Sequence, residues 1–142
     1  MGYLLDTSVL SEWVTPRPNP AVVRWLAEID EDRVFLSVVT LAELRYGVER
    51  LAPGRRRSQL DNWLREQLSV RFEGRILPID ESVADAYARV VAGREARGRP
   101  IGVIDAFIAA TTQVHELTLV TRNASDFESI VTATVNPWTE IA

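Results

Sequence analysis

Apolar residues in this chain fall in short runs separated by polar or proline-rich breaks, and the spacing inside each run sorts it as strand or helix. Residues 2–6 read as a buried strand, 7–13 as a short helix, and PRPNP at 16–20 as a loop whose last proline suits the first turn of a helix. That helix, AVVRWLAEI, sets Val22, Trp25, Leu26 and Ile29 on one side. Strand character returns over 33–38. Thr40 is then placed to cap a helix carrying Leu41, Leu44, Val48 and Leu51 along one face, and a second helix is expected over about 55–70. RILPI at 75–79 predicts another strand, and helices follow at 81–97 and about 101–115. LTLVT at 117–121 is a fourth strand, NASDF a helical turn, and VTATVN a fifth strand at an edge.

Strands separated by helical segments, each a short apolar run without clean alternation, indicate a parallel sheet covered by helices on both faces. The expected class is α/β: three layers, with a central, mostly parallel sheet of four to five strands. Length agrees, since 142 residues with 46% hydrophobic content suit one domain over 1–142 and are too few for two. The longest apolar runs, such as VFLSVV at 34–39, fall far short of the ~20 residues of a membrane-spanning helix. The N-terminal segment lacks the basic start and cleavage site of a signal peptide, so a cytoplasmic protein without membrane contact is expected. In open sheets of this kind, ligands bind beyond the carboxyl ends of the strands where strand order reverses. Asp6 and the segment from Thr121 to Asp126 fall there.

Each of these acids has an ordinary structural explanation. Asp6 can cap the helix TSVLSEW. TLAE at 40–43 is a capping box in which Thr40 caps and Glu43 reaches back, and Asn123 and Asp126 share that spacing. Asp105 resists such an account, because Ile101, Val103, Ile104, Phe107 and Ile108 surround it on nearly every side of a helix. An unpaired carboxylate buried there costs several kcal/mol or has its pKa forced upward. It needs either an arginine partner or a place in an acidic cluster that a cation neutralises.

The residue inventory narrows the chemistry. With no cysteine and only His115, the plentiful hard ligands are carboxylates, which suit Mg²⁺ or Mn²⁺. All sixteen basic residues are arginine. The absence of lysine weighs against haloacid-dehalogenase-like phosphatases, whose DxD pattern also fails at Ser8, and against receiver domains. No glycine-rich loop ending in GK[ST] supports a P-loop. A net charge of −4 argues against a protein that grips nucleic acid through a basic surface as a whole, though not against local patches. Arg55, Arg56 and Arg57 form one such run and Arg94, Arg97 and Arg99 another. Such runs are ordinarily solvated helix ends; otherwise they are two places for a phosphate backbone.

The segments LLDTSVLSE, VVTLAELRYGVERL, GRILPID, PIGVIDAFIAATTQVHELTLVTRN and NPW, in that order, resemble the PIN-domain toxins of bacterial VapBC-type toxin–antitoxin pairs, especially the FitB-like branch. The resemblance spans nearly the whole chain. It implies a Rossmann-like PIN fold, metal-dependent ribonuclease activity, a toxin homodimer, and a cognate VapB- or FitA-like antitoxin that occupies the active site in a hetero-oligomer. Carried over residue by residue, the family's acids fall on Asp6, Glu43 and Asp105, with the hydroxyls of Thr7 and Ser8 beside the metal. Some members carry the fourth acid directly after TR, where this chain has Asn123, and others in the later DF pair, here Asp126. Asn123 could act through its side-chain carbonyl, with Thr121 orienting it.

The expected mechanism is hydrolysis of an RNA phosphodiester by water held on Mg²⁺ or Mn²⁺, leaving a 5′-phosphate and a 3′-hydroxyl. The arginine runs would hold RNA backbone, and the helices over 40–70 would offer an antitoxin groove from which an arginine enters the carboxylates. The alternative is a partner of a DNA-binding antitoxin acting mainly in operon autoregulation, with weak or no nuclease activity. The acids retained at Asp6, Glu43 and Asp105 weigh against it.

Overall fold

The computed structural model describes residues 2–139. Its sheet is built from β1 (Tyr3–Leu5), β2 (Val34–Ser37), β3 (Ile76–Leu77), β4 (Thr118–Val120) and β5 (Thr134–Val135). These strands lie in the order β3-β2-β1-β4-β5, and every pairing is parallel. Around them run α1 (Thr7–Glu12), α2 (Pro20–Glu28), α3 (Val38–Glu49), α4 (Arg55–Asn62), α5 (Ser69–Arg71), α6 (Glu81–Ala96), α7 (Val103–Val114) and α8 (Ala124–Phe127). Among the described residues no helix is long and apolar enough to cross a membrane.

Period-two side-chain alternation explains why both sheet faces are covered. Leu5, Val34, Leu36 and Val120 point to one core with Val9, Leu10, Val22, Val48, Leu68 and Phe72 from the helices. Leu4 and Leu119 point the other way, to a core with Val90, Ala106, Ile108, Ala109 and Phe127. A strand buried on both faces has no polar side, so the runs read as continuous apolar segments. Val22, Trp25, Leu26 and Ile29 pack on the first core as their spacing predicts, as do Leu41, Leu44 and Val48.

One local expectation fails and two are narrowed, each for an identifiable reason. Thr40 is not a cap: α3 begins at Val38, Ser37 Oγ accepts the Val39 N–H at 3.1 Å, and Thr40 lies buried in the first turn. The strand runs straight into the helix, so the first available hydroxyl takes the capping position, and the TLAE capping box does not form. The helix expected over 55–70 is regular only to Asn62, and Trp63–Leu68 form a π-helical stretch before α5. Leu64 and Leu68, four residues apart in this stretch, both lie in the first core. RILPI is a strand only over Ile76–Leu77, with the Arg75 carbonyl before it accepting the Leu36 N–H at 2.9 Å, and Pro78, which has no N–H to donate, stops it.

The strand order places the reversal beside β1, from which the chain leaves toward β2 on one side while β4 flanks the other. At the carboxyl end of this pair Asp6 N–H donates to the Val120 carbonyl at 2.9 Å, extending the ladder to the first residue past β1. The point where ligands bind in open α/β sheets is therefore occupied by Asp6 and Thr121.

Candidate active site

Asp6 is buried, 8% exposed, and both of its carboxylate oxygens are engaged. Oδ1 accepts the Thr7 N–H at 2.8 Å, which is the helix cap anticipated from sequence. Oδ2 accepts the Thr121 hydroxyl at 2.8 Å and the Ser8 hydroxyl at 3.3 Å. The cap fixes one edge of the carboxylate, and two hydroxyls, Ser8 in the first turn of α1 and Thr121 just past β4, fix the other. Capping and site-building are thus one arrangement.

Glu43 projects from α3 toward α1, where Thr7 Oγ1 donates to its Oε1. Thr7 Oγ1 also lies 3.4 Å from Thr40 Oγ1. Because Ser37 caps α3, Glu43 is freed from the reciprocal capping role and turned to the neighbouring helix instead. Thr7 links the two acids, through its amide to Asp6 and through its hydroxyl to Glu43.

Asp105 stands in the first turn of α7. It is exposed rather than enclosed, because Val103 on the same turn also faces solvent while Ala106 and Ile108 go into the core. Among the described residues no arginine closes a salt bridge on it. Its carboxyl is nevertheless pushed above the ordinary range, first by the desolvation its neighbours impose and then by the negative charges of Asp6, Glu43 and Asp126. Arg94 pulls weakly the other way. Four acids, from the end of β1, the middle of α3, the start of α7 and the short helix α8, therefore share one electrostatic field.

Asp126, exposed on α8, lines a cavity of about 220 Å³ together with Asp105 and Arg94. Asn123 does not line that cavity; its amide donates to Thr121 Oγ1 at 3.1 Å, and its side chain makes no capping bond to α8. Among the described residues no three acids are already drawn into a metal cage. The donor set is still that of a hard cation: carboxylates and hydroxyls only, with His115 at the far end of α7 and its Nε2 buried without a partner.

The two arginine runs differ in surroundings. Arg56 donates to the Val14 carbonyl at 3.0 Å and Arg57 to Glu49 at 3.0 Å, while Arg55 opens α4 in solvent. Beside them a groove of about 380 Å³ between α1, α3 and α4 is lined by Val14, Leu44, Val48, Leu60 and Trp63, with Glu43 and Thr7 at its polar end. Arg94 is half-buried, and Arg97 and Arg99 are exposed. Sequence reading passed over Arg89, which lines a second groove with Arg94 and Arg97. The signal was its position five residues before Arg94 on one helix.

The PIN-domain model matches residues 3–131. The chain is 42% identical to the Toxin FitB of Neisseria gonorrhoeae over 135 residues, covering 95% of this chain and 97% of that protein. It is 36% identical to the VapC ribonuclease Y4jK of Sinorhizobium fredii, with coverage of 95% and 96%. The solved structure of FitAB bound to a DNA fragment superposes with a TM-score of 0.92 at 38% identity, over 99% of this chain and 98% of that one. With this fold and this match along its length, the chain belongs to the PIN-domain family.

Proposed function

We propose that this chain is the toxin of a type II toxin–antitoxin pair and a metal-dependent endoribonuclease. The observation that carries the reading is that Asp6, Glu43 and Asp126, from three separate elements, all press their charge on Asp105. Such a cluster disfavours itself unless a cation joins it. The names of the relatives, a toxin and a ribonuclease, support it. Asp6, Glu43, Asp105 and Asp126 would hold Mg²⁺ or Mn²⁺, which when bound activates water and neutralises charge at the phosphodiester.

The chain's own part is positional. Thr7, Ser8 and Thr121 orient Asp6, and Thr7 orients Glu43, so two acids are preset before ligand arrives. Asp105 and Asp126 lie open to solvent, where substrate phosphate approaches. The products are a 5′-phosphate and a 3′-hydroxyl. The test is cleavage of RNA, beside DNA of the same sequence, by purified protein with Mg²⁺ or Mn²⁺, with EDTA, and with Asp6→Asn. Cleavage confined to wild type with metal supports the reading; activity surviving both EDTA and Asp6→Asn overturns it.

The partner is a VapB- or FitA-like antitoxin, as in the FitAB complex. Its apolar side chains would lie in the groove between α1, α3 and α4, with an arginine turned to Glu43 at the polar end. The toxin would act in the cytoplasm as a homodimer within a toxin–antitoxin hetero-oligomer. A second reading, operon autoregulation with weak nuclease activity, is favoured by Asn123, which stands directly after Thr121 and Arg122 where some family members carry the fourth acid. Metal-dependent cleavage at catalytic protein concentrations would dismiss it.

A further inference from the structure

Arg94 belongs to two cavities at once. On one side it lines the space of about 220 Å³ that holds Asp105 and Asp126. On the other it lines a groove of about 200 Å³ with Arg89, Arg97, Gln113 and Ser129. Its guanidinium is fixed in place: Nε donates to the Arg99 carbonyl at 2.8 Å and Nη1 to the Asp126 carbonyl at 3.2 Å. Two bonds leave the remaining donors of the fork available. Arg89 and Arg97 are exposed, and among the described residues neither closes a salt bridge.

An acidic cavity repels the phosphates flanking a scissile bond, so a substrate strand needs cations immediately outside it. Three arginines over the C-terminal half of α6 and its cap, with Arg94 anchored at the cavity, supply them. The Arg55–Arg57 run serves less well, because Arg56 and Arg57 already have partners and the groove beside them is apolar. We propose that Arg94 positions the phosphate next to the scissile one, and that Arg89 and Arg97 continue the track, so that single-stranded RNA leaves the acidic cavity along α6. This rests on the ribonuclease reading above.

The test measures binding of a fluorescein-labelled single-stranded RNA to Asp105→Asn protein between about 50 and about 200 mM salt. Arg89→Gln/Arg97→Gln, in which no bonded partner is lost, should make the log–log salt slope shallower by about 1.4, at ~0.7 per phosphate contact. Arg94→Gln in the active chain should lower kcat/KM about tenfold or more, with Arg94→Lys recovering part of it. A slope unmoved by the Arg89/Arg97 pair, or moved instead by Arg55→Gln/Arg57→Gln, overturns the proposal. Wild type that cleaves no RNA with metal, while the slope still follows Arg89 and Arg97, overturns the ribonuclease reading and keeps the track.

Discussion

Thr121→Val is the sharpest probe of how the site is tied to the fold. The side chain is wholly buried, its hydroxyl donates to Asp6 Oδ2 at 2.8 Å, and its oxygen accepts the Asn123 N–H at 3.1 Å. Valine keeps the shape and removes both bonds. A hydrogen bond to a charged acceptor contributes about 1.5–3 kcal/mol, and the part-buried Asn123 amide left unpaired adds roughly 1 kcal/mol. The expected loss is about 2–4 kcal/mol, which for a chain of this size lowers Tm by roughly 5–15 °C. Circular-dichroism melting and urea unfolding measure it, with Thr121→Ser as the companion that keeps the hydroxyl and loses only a methyl. Cleavage assayed well below the melting point should also fall, since Asp6 loses one of the groups that orient it. Valine melting within about 2 °C of wild type, or serine as damaging as valine, would refute the assigned bonds.

The remaining predictions concern charge. Asp105→Asn should stabilise the chain near neutral pH by less than about 1 kcal/mol, because the group is exposed, and the Tm gain should shrink as pH falls through the raised pKa and be gone below the ordinary value of 3.8, where both folded and unfolded wild type are protonated. In the same melts Mn²⁺ should stabilise wild type and leave Asp105→Asn nearly unmoved. Glu31 is held below its ordinary value of 4.5, chiefly by its hydrogen bond from Arg71. Its contribution is therefore present above that value and lost as pH falls through the lowered one, so the Tm difference between wild type and Glu31→Gln should shrink below about pH 4.5; solvent screening keeps it under about 1 kcal/mol. Arg75 donates to the carbonyls of Glu31, Val34 and Arg71, and Arg75→Met should cost about 2–4 kcal/mol by urea unfolding, because those acceptors lose a charged donor.

The fold was legible wherever one-dimensional pattern and three-dimensional burial share a period. Val22, Trp25, Leu26 and Ile29 announced their helix, and the unbroken apolar strands announced a sheet covered on both sides. Legibility failed where two local solutions compete. Ser37 and Thr40 are both competent caps, and only the abrupt passage from β2 into α3 decides for Ser37. That decision matters, because a Glu43 engaged in its own helix cap would not reach Thr7. Asp105 was read as buried because its sequence neighbours are apolar, yet a position in the first turn turns it outward while Ala106 and Ile108 turn in. The like-charge repulsion expected of it survived the correction, since that depends on the sheet edge rather than on burial.

The hydrogen bonds divide the four acids into two kinds, and the division suggests how a self-repelling site persists without collapsing the fold. Asp6 and Glu43 are tied to hydroxyls and an amide, so their orientation is fixed by bonds that also cap α1 and join α1 to α3. Asp105 and Asp126 are exposed on separate helices, and among the described residues their carboxylates accept no hydrogen bond, so their mutual repulsion is relieved by water at little structural cost. The strain of holding like charges together is thereby placed on the two side chains that can move. A ligand bearing positive charge gains most from exactly those two, and ordering them completes a site whose other half is already set. This is why removing a bond from the fixed half is expected to damage stability and activity together, whereas removing a charge from the open half damages activity while stabilising the chain.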